Sequence, residues 1–171
     1  GFVMTLPACL RAMASCSQRW PVNRMSRPPW SRNSSTSNAI MLNGVNGDKP
    51  PRMPKSVSLP CNAPAKLIHF LGGVSGWGFP AIQEKTPTLT VRLKYADGQT
   101  EDHVTRNGEV WADYITRADV PGSKFAYRLR GQQIRYFTIV PKRPEKIESI
   151  ELIKGADVTS PIVMAITVEG P

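Results

Sequence analysis

The chain has 171 residues, with 22 Lys or Arg against 13 Asp or Glu and a formal charge of +9. That length suits one domain whose core is large enough to need no metal or disulfide staple. The basic excess lies in residues 1–55, where Asp48 is the lone acid, so the nearly balanced remainder is a poor nucleic-acid surface, and no apolar run approaches the ~20 residues of a membrane span.

Cys9, Cys16 and Cys61 form an odd set without metal-ligand spacing. They predict neither a disulfide framework nor a zinc site. Residues 1–10 are apolar, and Ala12-Met13-Ala14 resembles a small-x-small cleavage site, but Arg11 interrupts the run. Residues 17–37 are rich in Pro, Ser, Arg and Asn and lack apolar periodicity. Residues 1–37 are therefore expected to be a disordered or non-native basic tail, with Trp20 and Trp30 beside prolines, and 38–169 a folded domain.

Within the domain, Ile40, Met41 and Leu42 make a short strand candidate, followed by the turn pairs Asn43-Gly44 and Asn46-Gly47. Residues 56–59 alternate until Pro60, which is expected to stop the strand. The apolar run 65–71, between Pro64 and Gly72, fits a strand buried on both faces. Residues 72–87 carry several glycines and prolines and read as a loop whose backbone can approach a ligand closely. Residues 88–95 alternate cleanly, with Leu89, Val91, Leu93 and Tyr95 on the buried face. Asp97-Gly98 is a hairpin turn signal, and the return strand 99–105 is almost wholly polar, which suits a solvated rim.

Residues 109–115 read as a short strand or one helical turn. Residues 123–129 alternate, and 133–140 shift phase near Tyr136 and Phe137, which predicts a bulge or two-sided burial. Residues 146–153 and 162–168 complete the set. No segment of ten residues has helical spacing. Short strands separated by Pro/Gly turns predict an all-β fold, an antiparallel β-sandwich of jelly-roll-like form.

Candidate chemistry is sparse. His69 lies in an apolar run and reads as a core histidine bonded to backbone rather than a ligand or base. Glu101 and His103 share a strand face while Asp102 opposes them, so Asp102 and His103 make no dyad. Asp97, Glu101 and Asp102 offer oxygen ligands to Ca²⁺ without calcium-loop spacing, and a solvated edge explains them equally simply. Ser75 sits in no nucleophile elbow. No phosphate-binding, dinucleotide-binding or zinc-protease motif occurs, so neither an enzyme, a cofactor nor a metal is expected.

The loop aromatics point elsewhere. Flat rings cover the C–H face of a sugar, and polar side chains bond its hydroxyls. Trp77, Trp111 and Tyr114, with Asp102, Arg106, Asn107 and Asp113, supply that mixture as a candidate carbohydrate site. The competing reading is that Trp77 and Trp111 plug the ends of the sandwich.

Four runs carry a resemblance: IHFLGGVSGWGFP, YADGQTEDHVTRNGEVWADYI, VPGSKFAYRLRGQQIRYFTIVPKRP and IESIELIKGADVTSPIVMAITVE. Over residues 65–169 the chain resembles a β-sandwich module of large secreted proteins of planctomycete-type bacteria, similar to galactose-binding-like and other carbohydrate-binding jelly rolls. The resemblance implies a secreted or periplasmic accessory module beside other domains of a longer chain, such as haem-binding, dehydrogenase-like or hydrolase domains. It implies carbohydrate as a ligand and carries over no binding residue. Residues 1–37 look unlike that family.

Overall fold

A computed structural model describes residues 39–76, 85–115 and 117–171. The expected tail therefore lies outside the described residues, as do Trp77 and Phe79 in the expected loop. Among the described residues nine strands form two antiparallel sheets packed face to face. The first sheet has the order β1 (Ile40–Met41), β9 (Ser160–Glu169), β3 (Leu67–Ser75), β7 (Gln132–Ile139) and β6 (Lys124–Leu129). The second has the order β2 (Ser56–Ala63), β8 (Ile147–Lys154), β4 (Pro87–Tyr95) and β5 (Thr100–Arg106). The β4–β5 and β6–β7 links are hairpins, and the other links from β2 onward cross between sheets, which makes the sandwich jelly-roll-like.

Alternation decides which side chains fill the space between the sheets. Leu89, Val91, Leu93 and Tyr95 of β4 are fully buried. They meet Ile147, Ile150 and Leu152 of β8 and, across the sandwich, Ile68, Phe70, Phe137 and Val163. Phe70 and Phe137, paired in register, stack with centroids 4.9 Å apart.

The turns follow local chemistry. At Asp97-Gly98 only Gly98 takes positive φ, and the Tyr95 amide bonds Gln99 O at 2.9 Å. This is a three-residue hairpin loop with glycine in the left-handed position. Arg130 and Gly131 both have positive φ and join β6 to β7 as a two-residue turn.

Three expectations change. β3 runs on through Gly72 and Gly73 to Ser75, so the glycine pair is strand. Its first half is buried on one face, with Leu67, His69 and Leu71 only partly covered on the other, because the outer face of the first sheet carries no further layer among the described residues. β2 continues past Pro60 to Ala63 with a register shift between them. Pro60 is tolerated because β2 is an edge strand, where a missing N–H costs no ladder bond. In β7 the second of the two expected readings holds: Gln133, Ile134 and Arg135 are all buried, so the strand is covered on both faces there, while the register shift lies in its partner, between Phe125 and Tyr127 of β6.

Gly72 is a close-approach position. A Cβ there would lie 2.2 Å from the carbonyl oxygen of Ile162 and 3.3 Å from the Trp111 ring. Gly72→Ala should therefore lower stability by at least about 2 kcal/mol, since backbone must move to admit the methyl group. Gly170→Ala, with open space around it, should stay within about 0.5 kcal/mol of wild type. Urea unfolding of both variants measures the difference, and equal midpoints would refute the steric argument.

Candidate functional site

One end of the sandwich gathers the C-terminal ends of β3, β5 and β8 and the start of β4. The chain from Arg106 to Ile115 crosses this end, and it contains most of the residues expected to bind sugar. Gly108, at positive φ, turns it, and the Arg106 carbonyl accepts the amides of Val110 at 3.0 Å and Trp111 at 3.1 Å. The result is a tight irregular loop rather than a strand or helical turn.

Its polar groups fasten the described residues on either side of the 77–84 segment. On one side, Arg106 Nη1 donates to Lys85 O at 2.9 Å, and the Asn107 amide donates to Thr86 O at 3.2 Å. On the other, the Tyr114 amide donates to Val74 O at 3.1 Å, and Asp113 forms a parallel bridge with Val74. The Gln133 amide then donates to Tyr114 O at 2.7 Å, and Gln133 Nε2 donates to Asp113 O. Asp113 Oδ1 accepts the Ile115 amide at 2.7 Å, so the carboxylate closes its own turn.

This placement revises the expected site residue by residue. Trp111 is 0% exposed. Its Nε1 donates to Thr105 Oγ1 at 2.6 Å, that hydroxyl donates to Leu89 O at 2.7 Å, and the ring stands edge-on to Phe137. Trp111 is thus a core residue with no ring face for a sugar. Asp113 and Asn107 are also buried, and Tyr114 is half-buried. Asp102 is not brought to this end: it lies mid-strand on β5, held by Arg92 at 2.7 and 2.8 Å. Trp77 lies outside the described residues. Asn107 Oδ1 is the exception among these groups, a buried acceptor with no partner among the described residues.

A cleft of about 480 Å³ opens at the same end, lined by Asn43, Gly44, Val45, Lys55 and the turn from Lys154 to Asp157. Sequence reading missed it, because its walls come from turns more than a hundred residues apart. The ion pair beneath it is internally satisfied. Lys154 Nζ donates to Gly155 O, Asp157 O and Asp157 Oδ1, while Asp157 Oδ2 accepts the hydroxyls of Thr88 and Thr159. The charged group left for a visitor is Lys55.

Elsewhere the titratable groups join strands. His69 is bonded by side chains rather than backbone: Nδ1 lies 2.8 Å from Tyr136 Oη and Nε2 lies 3.2 Å from Glu169. Its position on the outer face, away from the core, is the reason. Arg135, 1% exposed, donates to Ser123 Oγ and O, Ala118 O and Asp119, and so stitches the 117–123 loop to β7. That guanidinium, with Arg117, lowers the Asp119 pKa. The three acids considered for Ca²⁺ have separate cationic or hydrogen-bonding partners: Asp97 holds Arg143 at 2.6 Å, Asp102 holds Arg92, and Glu101 holds Tyr95 and His103. Among the described residues no three His, Cys, Asp or Glu side chains converge on a metal position.

The polar return strand is an edge, as expected, but it buries more than its sequence suggests. Glu101 is 8% exposed. It accepts Tyr95 Oη at 2.6 Å and the Lys142 amide at 3.1 Å, and His103 Nε2 lies 2.6 Å away, off the hydrogen-bonding direction. Burial alone would raise the pKa of Glu101, but these donors and the adjacent His103 ring outweigh it and hold the carboxyl below its usual range. Burial and the adjacent Glu101 together push the Tyr95 phenol well above its ordinary value.

No family model, curated protein or solved structure matches the chain.

A carboxylate with a depressed folded-state pKa adds stability above its unfolded value, and that stability is lost as pH falls through the folded value. The stability difference between wild type and Glu101→Gln should therefore be greatest near neutral pH, at about 1–3 kcal/mol. It should shrink as pH drops below about 4.5. Denaturant midpoints at several pH values measure it, and a difference independent of pH would refute an ionised Glu101.

Proposed function

We propose that this chain is a non-catalytic accessory module of a larger secreted or periplasmic bacterial protein, and that its loop end binds carbohydrate. The observation that carries this reading is that residues 106–114 fasten both described flanks of the 77–84 segment, at Val74 and at Lys85 and Thr86, at one end of the sandwich. Connections at the end of a sandwich, held on a fixed scaffold, are a common place for a binding surface, and the sequence of this segment carries glycines and aromatic residues. Tyr114 supplies a half-buried ring there, Asn107 Oδ1 an acceptor without a partner among the described residues, and Asn43 and Lys55 polar groups in the neighbouring cleft. The half-buried histidines and their carboxylate partners serve strand-to-strand contacts, which is in keeping with a binding role rather than a reaction.

The burial of Trp111 changes the appropriate test. Trp111→Ala would report on stability, so Trp77→Ala and Tyr114→Ala are the informative variants. Titration of a panel of soluble polysaccharides into the full chain should find at least one ligand. Each substitution should then weaken its binding by about two- to tenfold. Failure of the wild type to bind any member, or identical affinity in both variants, would overturn the carbohydrate assignment.

A second reading is favoured by one observation. Val45 is 60% exposed and Val158 47% exposed, and the two are joined by a Val45 amide to Val158 carbonyl bond at 3.2 Å. This apolar rim beside the cleft suits packing against a neighbouring domain. The gene's reading frame checks it: a frame encoding no further domain removes this alternative.

A further inference from the structure

The first sheet has an uneven flank. β9 pairs with β3 from Ser160 to Glu169, but on its other side, among the described residues, only Pro161, Ile162 and Val163 are bonded, by Leu42, Met41 and Ile40. From Ala165 to Glu169 that side of the strand meets no backbone partner among the described residues. An open strand edge is a template for another strand.

The apolar side chains along this flank are incompletely covered. Ile166 and Val168 lie in register with Phe70 and Ile68, facing the core, yet both are only partly buried. On the second sheet, Leu59 and Cys61 of the edge strand β2 pack on the core and are likewise half-exposed. The two flanks meet at the Asn43 amide to Pro54 carbonyl bond, so they border one side of the sandwich. A strand laid against β9 would pair that backbone and cover Ile166 and Val168.

Two occupants compete for this edge. Residues 34–38 precede β1, but they are Ser, Ser, Thr, Ser and Asn and bring no apolar side chain. β9 itself matches the edge when turned end for end. Antiparallel pairing centred on Thr167 sets Ile166 opposite Val168 of the partner and Ala165 opposite Glu169, keeping core-facing residues together on one face. Glu169, the sole charge in the stretch, falls opposite Ala165 and is paired with Lys66 of its own chain, so no like charges meet. Pro171, which has no N–H, limits the paired stretch at one end, and β1 limits it at the other.

We propose that two copies of this chain associate through β9, forming one continuous sheet across a two-fold axis at Thr167. The interface is a short one, so association falls in the micromolar range rather than below it. Sedimentation equilibrium of the full chain across micromolar concentrations tests this together with two variants. Thr167 points to the outer face, where a long charged side chain fits without entering the core. Thr167→Lys alone and Thr167→Glu alone each place like charges opposite one another, and each should weaken dimerisation by about tenfold or more. An equimolar mixture of the two should restore it, through the opposite-charge pair. A wild type that stays monomeric throughout overturns the proposal. So do charged variants that dimerise like wild type, and so does a mixture that fails to recover. Should either charged variant fail to fold by circular dichroism, Thr167→Cys replaces the pair. Oxidation should then link two chains through residue 167, shown by peptide mapping, and the absence of that link overturns the proposal equally.

Discussion

The loop end of this sandwich depends on one fit: the indole of Trp111 set against the bare backbone of Gly72. Because residue 72 has no side chain, β3 and β9 can pass beneath the ring, and the register between them shifts at this point. The indole N–H reaches Thr105, so the chain leaving β5 is drawn over the core and cannot swing outward. Everything from Arg106 to Tyr114 inherits its position from that anchor. The bonds to Val74, Lys85 and Thr86 then follow as consequences of where the anchor holds the segment.

Buried polar groups perform a second organising task. Arg135, the Lys154–Asp157 pair and Glu101 each tie a strand to a turn or loop that passes beside it. Removing such charges from water costs several kcal/mol, and hydrogen bonds offset that cost only when nearly every donor and acceptor is used. Arg135 and Lys154 meet this condition with loop carbonyls, hydroxyls and carboxylates. What they confer is a single conformation for turns that carry little apolar material of their own. Arg143 adds a weaker clasp, lying over the Tyr95 ring at 4.7 Å while pairing with Asp97 and Glu145.

Much of the architecture was legible in the sequence because alternation is a local signal. Leu89 to Tyr95 declared its buried face, and Glu101 and His103 declared a shared one. The site was harder to read. Trp111 has the same loop-like surroundings in sequence whether it faces a sugar or a core, and only the notch at Gly72, far away along the chain, decides between them. Arg106 and Asp113 looked available because their partners are backbone carbonyls and amides, which no sequence displays. Pro60 misled for a related reason: its effect depends on whether the strand is an edge, a property of the whole sheet. The cleft near Lys55 was invisible for want of any single contiguous segment that builds it.

The order of β9 in the chain has a consequence for how the molecule is made. The first sheet is closed by a strand that leaves the ribosome after all the others, and its partner β3 is synthesised far earlier, since Leu67 pairs with Glu169. Until then β3 has β7 on one side and an open ladder on the other. The β4–β5 and β6–β7 hairpins can form from neighbouring residues, but the central pair of the first sheet must await a loop closure spanning most of the domain. The β3–β9 ladder thus forms after the two hairpins, and a nascent chain carries β3 with one edge unprotected until residues 160–169 have been made.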